Sequence, residues 1–277
     1  MVREKTNAMA TTRAQSFKRM NDSHFHSISK RINLYGLMGI LMLLLVWELS
    51  ARWIWQDIQV LPSPIQCMDM AWQVLTAQEL LMHIATSLSR ILIGFTFAAV
   101  IGVGLGIAVG WYQYLGLAFK PILELLRPIP PLAWIPMAIV WFGLGEPSKW
   151  FVIFLGSFFP IFTNAWRGMV GIPPVILRAA QTMDVKGIEL LLKVAIPAAL
   201  PDIATGLRVA FGLAFGILVA AELIASDSGL GYLIMQSRET SRLGVAIFGI
   251  LLIGFLSMLA DDILARLLKK FVGRGRY

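Results

Sequence analysis

Five polar side chains fall inside or at the edges of long apolar runs of this chain: Arg127, Ser157, Asn164, Arg208 and Glu222. A polar or ionisable group at membrane depth is costly unless it faces a cavity or a partner, so these residues are candidates for a translocation pathway or gate. Each has a structural alternative. Arg208 lies near the end of its run and can snorkel to the boundary. Ser157 and Asn164 can serve helix packing, and Glu222 can pair near an outer gate as readily as it can touch a solute. Signals for covalent chemistry are missing. No stretch reads G-x-x-x-x-G-K-[ST], so a phosphate-cradling loop for ATP is absent, and there is no H-E-x-x-H, C-x-x-C or G-x-S-x-G. His24, His26 and His83 have no metal-ligand spacing, and Cys67, the single cysteine, reads as a small apolar filler. No catalytic residue, metal ligand or cofactor is assigned to this chain.

The elements that carry these residues follow from composition. With 57% hydrophobic and 14% charged residues among 277, the chain has too little polar surface to cover a soluble globule, so a bilayer must supply most of its solvent. The net charge of +8 could suggest nucleic acid. The basic residues gather instead at the ends of apolar runs and in a polar tail, which is the pattern of membrane topology.

Residues 1–33 read as a flexible cytosolic tail, and 34–277 as an all-α integral membrane domain of six transmembrane helices with its core at about 84–265. The first run, 34–47, could be a signal-peptide core; its continuation through Trp53 and Trp55, which suit a membrane interface, favours a retained span. After a linker with Pro62 and Pro64, 68–83 is expected to form one or two helices beside the membrane. The second span is 91–111. Gly94, Ala98, Gly102, Gly106 and Gly110 recur every four residues along it, a small-residue ridge that lets another backbone approach. Ordinary glycine usage is the bland alternative; the ridge points to packing inside the bundle and to close homodimerisation. The third span, within 115–144, should be broken near its start by Pro128, Pro130, Pro131 and Pro136. The fourth is 150–166, the fifth 203–225, with further small residues at Gly206, Gly212 and Gly216, and the sixth 243–264. With both termini inside, Lys120, Arg127, Arg167, Arg178, Lys186, Lys193, Arg208 and the tail from Arg266 fall on the cytoplasmic side. Only Arg52, Arg90, Lys149, Arg238 and Arg242 fall outside.

The segment 171–201 joins spans four and five. It reads as two short amphipathic helices separated by a turn around Asp184 to Gly187, with Pro173 and Pro174 suited to a helix start and Val175, Ile176, Ala179, Ala180 and Met183 at helical spacing. Such a stripe either docks on a partner or lies on its own membrane domain.

This loop resembles the cytoplasmic loop of binding-protein-dependent ABC importer permeases, E-A-A, three residues, G, nine residues, I-x-L-P. Arg178, Ala179, Ala180, Asp184, Val194, Ile196 and Pro197 occupy those positions, so Arg178 and Asp184 depart from the Glu and Gly. Asp enters left-handed backbone at modest cost, so the turn can survive. The segments LPSP (61–64), SLSRILIGF (87–95), RPIPPLAWIPMAIVWFGLGEPSK (127–149), TGLRVAFG (205–212) and AAELIASDSGLGY (220–232) are similar to the nitrate, taurine and alkanesulfonate branch. The resemblance implies a type I ABC importer permease in the bacterial inner membrane, forming a homodimer with two cytosolic ATPase subunits, which carry ATP and Mg, and a periplasmic solute-binding protein. It implies import of a small anion, a sulfonate such as taurine, nitrate or bicarbonate, with selectivity held by the binding protein. It also implies an ATPase-coupling segment containing Pro174, Arg178, Ala179, Ala180, Met183, Asp184 and Gly187. The same machinery carrying a thiamine precursor is the alternative within transport, and a membrane enzyme or scaffold the alternative outside it.

Overall fold

A computed structural model describes residues 35–55, 57 and 60–272, the side chains of Ala225 and Phe271 excepted; the tail expected at 1–33 lies outside them. All regular elements among the described residues are helical. The chain divides into two units, one ending at Gln66 and one running from Cys67 to the C-terminus. The first holds α1 (Tyr35–Trp55), an apolar helix closed by a π-turn, with Arg52 Nε bonded one turn back to Glu48 at 2.5 Å. The next helix, α2 (Pro64–Val74), starts on a reciprocal cap: the Ser63 amide donates to the Gln66 side chain, and the Gln66 amide to the Ser63 hydroxyl.

In the second unit, α3 (Ala77–Trp111) is opened by a capping box in which Thr76 and Glu79 satisfy each other's backbone amides. Its 35 residues make it ~52 Å long, well beyond the ~30 Å hydrocarbon core. The segment expected to lie beside the membrane at 68–83 is therefore split: its second half, from Ala77, is the first turns of α3. α4 (Gln113–Leu126) turns back along the bundle, and α5 (Ile135–Phe142) follows a single 3-10 turn at Pro131–Trp134. The expected third span is thus two helices meeting at 84°. The break falls in its middle, not near its start, because Pro128, Pro130 and Pro131 are consecutive obstacles to helical hydrogen bonding there.

α6 (Glu146–Val170) runs parallel to α3 and packs between it and α9 (Ile196–Ala225). Between α6 and α9 lie α7 (Pro174–Thr182) and α8 (Gly187–Leu190), the latter joined to α9 through a π-turn at Leu191–Ala195. α10 (Leu230–Glu239) and α11 (Leu243–Val272) complete the unit. Six spans were expected. Among the described residues four helices are long and apolar enough to cross a membrane, namely α1, α3, Gly187–Ile224 and the 243–270 part of α11, and the bent α4–α5 pair would make a fifth. α6 has the length, at 25 residues, but its flanking helices let its sequence keep Glu146, Lys149, Asn164 and Arg167.

The core is the α3–α6–α9 seam, where Phe95 meets Phe211 edge-on at 5.0 Å and Phe158 stacks on Phe162 at 5.8 Å. The small-residue ridge is the device that closes it. A Cβ on Gly94 would lie 2.8 Å from that of Ile153, on Gly106 2.5 Å from that of Ala165, and on Gly110 2.5 Å from that of Met169; Gly102 faces Ile161 and Ala98 is fully buried. The ridge is therefore consumed inside one subunit. This corrects the expectation that it mediates homodimerisation, because a face already in backbone contact with α6 has no room for a second copy. Gly206 of α9 makes a similar approach to Asn164, whereas Gly212 and Gly216 face open space.

Candidate functional site

The face of α6 that carries Gly156, Phe159, Pro160, Thr163, Asn164 and Arg167 lines a cavity of ≈ 520 Å³, closed on one side by the 127–132 bend and on another by Val209, Leu213 and Ile217 of α9. These α6 positions step by three or four residues, so one helical face supplies the wall. Arg127, the C-cap of α4, and Arg167, in the last turn of α6, bring two guanidinium groups to this lining, and no lining residue is acidic. Among the described residues neither arginine has a carboxylate within ion-pair distance. Lys120 lies over the Trp166 ring at 5.7 Å, beside a smaller adjoining hollow that Arg127 also lines.

Of the five polar candidates, Arg127 and Asn164 meet in this cavity and the other three do not line it. Ser157 is fully buried with its hydroxyl unpartnered among the described residues. Arg208 forms a two-pronged ion pair with Asp261 of α11, Nε to Oδ1 at 3.0 Å and Nη2 to Oδ2 at 2.8 Å. Glu222 belongs to a second constellation, at the opposite end of α6 from α7.

There Arg90 of α3, 0% exposed, grips Glu146 with two prongs, Nε to Oε2 at 2.7 Å and Nη2 to Oε1 at 2.5 Å. Its Nη1 donates at 2.7 Å both to Glu222 Oε1 and to the Ser228 carbonyl. Glu222, 1% exposed, also accepts from the Ser87 hydroxyl at 2.8 Å and the Gly231 amide at 2.7 Å, and Lys149 donates to Glu146 at 3.2 Å. His83 Nδ1 accepts the Gly229 amide at 3.0 Å. Two cations and two carboxylates thus tie α3, α6, α9 and the start of α10, with every Glu222 oxygen bonded. Such a cluster holds helices together, and all five guanidinium N–H groups of Arg90 are spent within it. Sequence reading missed Arg90, Lys149 and His83 here, taking the first two as outer topological charges and finding for His83 only that it lacks metal-ligand spacing.

The α7 loop is built as the spacing predicts, with the turn at Asp184 to Gly187. Asp184 adopts φ 65, and Gly187 φ 58. The Val185 amide returns to the Ala180 carbonyl at 3.2 Å and the Asp184 amide to Gln181 at 3.0 Å, a Schellman stop with Asp in the place usually held by glycine; Lys186 pairs with the Asp184 carboxylate. The apolar stripe divides. Leu177 packs down beside Ile172 and Leu191, while Val175 and Met183 stay 69% and 80% exposed. Pro174, Arg178 and Ala179 are exposed and Ala180 half-buried.

A bundle of long apolar helices beside a mostly apolar cavity that two arginines enter, with a structured helical loop at one end, is the architecture of a membrane permease. Residues 99–273 match the family described as binding-protein-dependent transport system inner membrane component, and the chain belongs to that family. It is 40% identical to a putative ABC transporter permease protein of Methanocaldococcus jannaschii over 86% of this chain and 92% of that one. It is 35% identical to the taurine transport system permease protein of Escherichia coli, covering 84% and 86%, and 32% identical to the nitrate import permease protein of Synechocystis, covering 82% and 85%. Among solved structures it resembles a chain of an inward-facing methionine ABC transporter, with a TM-score of 0.57 and 20% identity over 69% of this chain and 97% of that one. The chain is therefore a multi-pass inner-membrane permease subunit of an ABC importer with the type I fold, and not the ATPase. Among the described residues no group of three His, Cys, Asp or Glu side chains is placed to hold a metal.

Proposed function

We propose that this permease passes a small anion, of the sulfonate, nitrate or bicarbonate class, delivered by a periplasmic binding protein. The observation that carries this reading is the cavity whose lining has two guanidinium groups and no carboxylate. A pair of arginines with no acidic neighbour in the lining favours an oxyanion and repels a metal cation. Arg127→Gln and Arg167→Gln, tested by uptake into vesicles holding the importer with its binding protein, are each expected to lower transport about tenfold, the fold-change of ~1.4 kcal/mol. Undiminished uptake in both would remove the anion pathway from this cavity.

The working assembly is a homodimer with two cytosolic ATPase subunits that bind ATP and Mg, and both termini are cytoplasmic. Since the α3 ridge is occupied, the second copy is assigned to the α9 face that carries Gly212 and Gly216, where an added Cβ meets nothing within 4 Å. The α7 end is cytosolic: exposed Arg167, Arg178, Lys186 and Lys193 gather there, while Arg90 and Lys149 at the other end are neutralised internally. α7 itself is the ATPase contact, its exposed Val175 and Met183 being the anchor and Ala179 and Ala180 the close-approach surface. Ala180→Glu would add bulk and a charge to that surface. It is expected to lower uptake and co-purification of the ATPase while the permease still reaches the membrane. Normal uptake with normal co-purification would move the contact elsewhere.

A further inference from the structure

The start of α10 is capped by side chains of other helices. Its N-cap residue, Gly229, has no side chain to offer, and the amides that open a helix need acceptors. Three buried groups supply them. The Gly229 amide donates to His83 Nδ1 at 3.0 Å, the Leu230 amide to the Ser87 hydroxyl at 2.8 Å, and the Gly231 amide to Glu222 Oε2 at 2.7 Å. His83 and Ser87 stand one turn apart on α3, so one face of that helix presents two of the three caps. Gly229 lets the backbone come this near: its φ is 110, and a Cβ there would run into the Glu222 carboxylate.

The three acceptors differ in what a proton does to them. Glu222 is ion-paired with Arg90, and the Ser87 hydroxyl accepts at any pH while donating to Glu222. His83 is the member that titrates near neutral pH, and Nδ1 accepts only while the ring is neutral with its proton on Nε2. Once protonated, Nδ1 is a donor aimed at a donor 3.0 Å away, beside the positive end of α10. The charged and titratable groups around the ring are Glu79, one turn back on α3, Glu222 of α9, and Tyr232 of α10, whose ring centroid is 6.1 Å away, with Arg90 beyond Glu222. Asp69 of α2 and Asp227 of the α9–α10 connection are exposed. His83 lies within two turns of the start of α3 and is 7% exposed, so a proton from solution reaches it without crossing the bundle.

We infer that His83 is a proton-sensitive latch on the connection between α9 and α10. Neutral, it holds the start of α10 against α3; protonated, it releases the Gly229 amide and with it the 226–229 segment. The inference concerns this chain alone and stands whichever solute is carried. Hydrogen exchange of the purified importer in lipid nanodiscs, corrected for intrinsic exchange rates, tests it at about pH 8 and about pH 5, on either side of the imidazole range.

Protection of the Gly229, Leu230 and Gly231 amides is expected to fall about tenfold on acidification of the wild type, the scale of one lost hydrogen bond and the repulsion that replaces it. His83→Asn sets an amide oxygen where Nδ1 stands and cannot titrate, so its protection should be the same at both pH values. His83→Leu has no acceptor and should show the weaker protection at both. Equal protection of the wild type at the two pH values overturns the latch. So does a fall of the same size in His83→Asn, which would assign the response to Glu79 or another carboxylate. Full protection in His83→Leu overturns it as well, since Ser87 and Glu222 would then hold the segment without the histidine. Should that variant fail to assemble, the wild type against His83→Asn decides.

Discussion

Gly106→Leu is expected to leave little folded permease, while Gly104→Leu, half a turn away on the same helix, leaves folding and uptake unchanged. At Gly106 even a Cβ would stand 2.5 Å from the Ala165 Cβ and 2.9 Å from the Phe162 carbonyl, atoms of a helix that cannot rotate away without unseating the rest of the seam. A leucine therefore pushes α3 off α6. Overpacking of this kind costs about 1–3 kcal/mol where side chains can shift. Here the obstacle is backbone, and the close approach it forbids is the main source of attraction between helices in lipid, where apolar burial drives nothing. At Gly104 a Cβ meets no atom within 4 Å. Monodisperse yield from detergent and uptake in vesicles read both variants. Normal assembly of Gly106→Leu would show that the seam tolerates a wider helix spacing than its glycine ridge indicates.

That ridge was legible because its signal is local: five small residues, four apart, on one apolar helix. What the ridge packs against was not, since a four-residue period says that a backbone approaches and does not say whose. The same period held more than was read from it. Arg90 stands four residues before Gly94, in register with the ridge, so the packed face continues past its first glycine toward the start of α3 and carries Arg90 into the interior. Treating Arg90 as a loop charge on an outer flank ignored this register. A single carboxylate at Glu222, deep in an apolar run, was the other half of the signal, because it demands a cation from a different helix.

The prolines at 128–131 announced a broken helix correctly, and local rules could not give the 84° bend, which depends on what α4 and α5 pack against. Asp184 shows the opposite case. The loop pattern placed a turn where the residue was wrong for it, and the left-handed φ of 65 shows position prevailing over residue preference. In the cavity, Arg167 was counted among the inner-flank charges that set topology. Its second property, lying on the α6 face of Thr163 and Pro160, appears only when the helix is phased against α9. α10 was missed because 230–239 sits in a short polar connection, although Leu230, Leu233, Ile234 and Ser237 follow helical spacing.

Arg90→Ala is expected to be the most destabilising single change at the α10 end of the bundle, by about 3–5 kcal/mol, because it strands a buried carboxylate. Among the described residues, Glu222 would keep its bonds from Ser87 and the Gly231 amide but lose its only cation, and Glu146 would keep Lys149 alone. The Ser228 carbonyl would lose a donor as well, releasing the connection between α9 and α10. Arg90→Lys should rescue little, since one ammonium cannot reproduce a fork that meets Glu146 twice and Glu222 and Ser228 with its remaining N–H groups. Glu222→Gln should cost less, about 1–3 kcal/mol: Arg90 remains neutralised by Glu146, and what is lost is a charge-assisted bond. The diagnostic variant is the double replacement Arg90→Met with Glu222→Leu. It removes both buried charges together, so it should recover much of the stability lost in Arg90→Ala if that loss comes from an unpaired charge. Thermal unfolding of the purified importer orders the four variants. A double variant no more stable than Arg90→Ala would assign the cluster's contribution to the shape and hydrogen bonds of the arginine, and wild-type stability in Arg90→Ala would show that this end of the bundle is held by apolar packing alone.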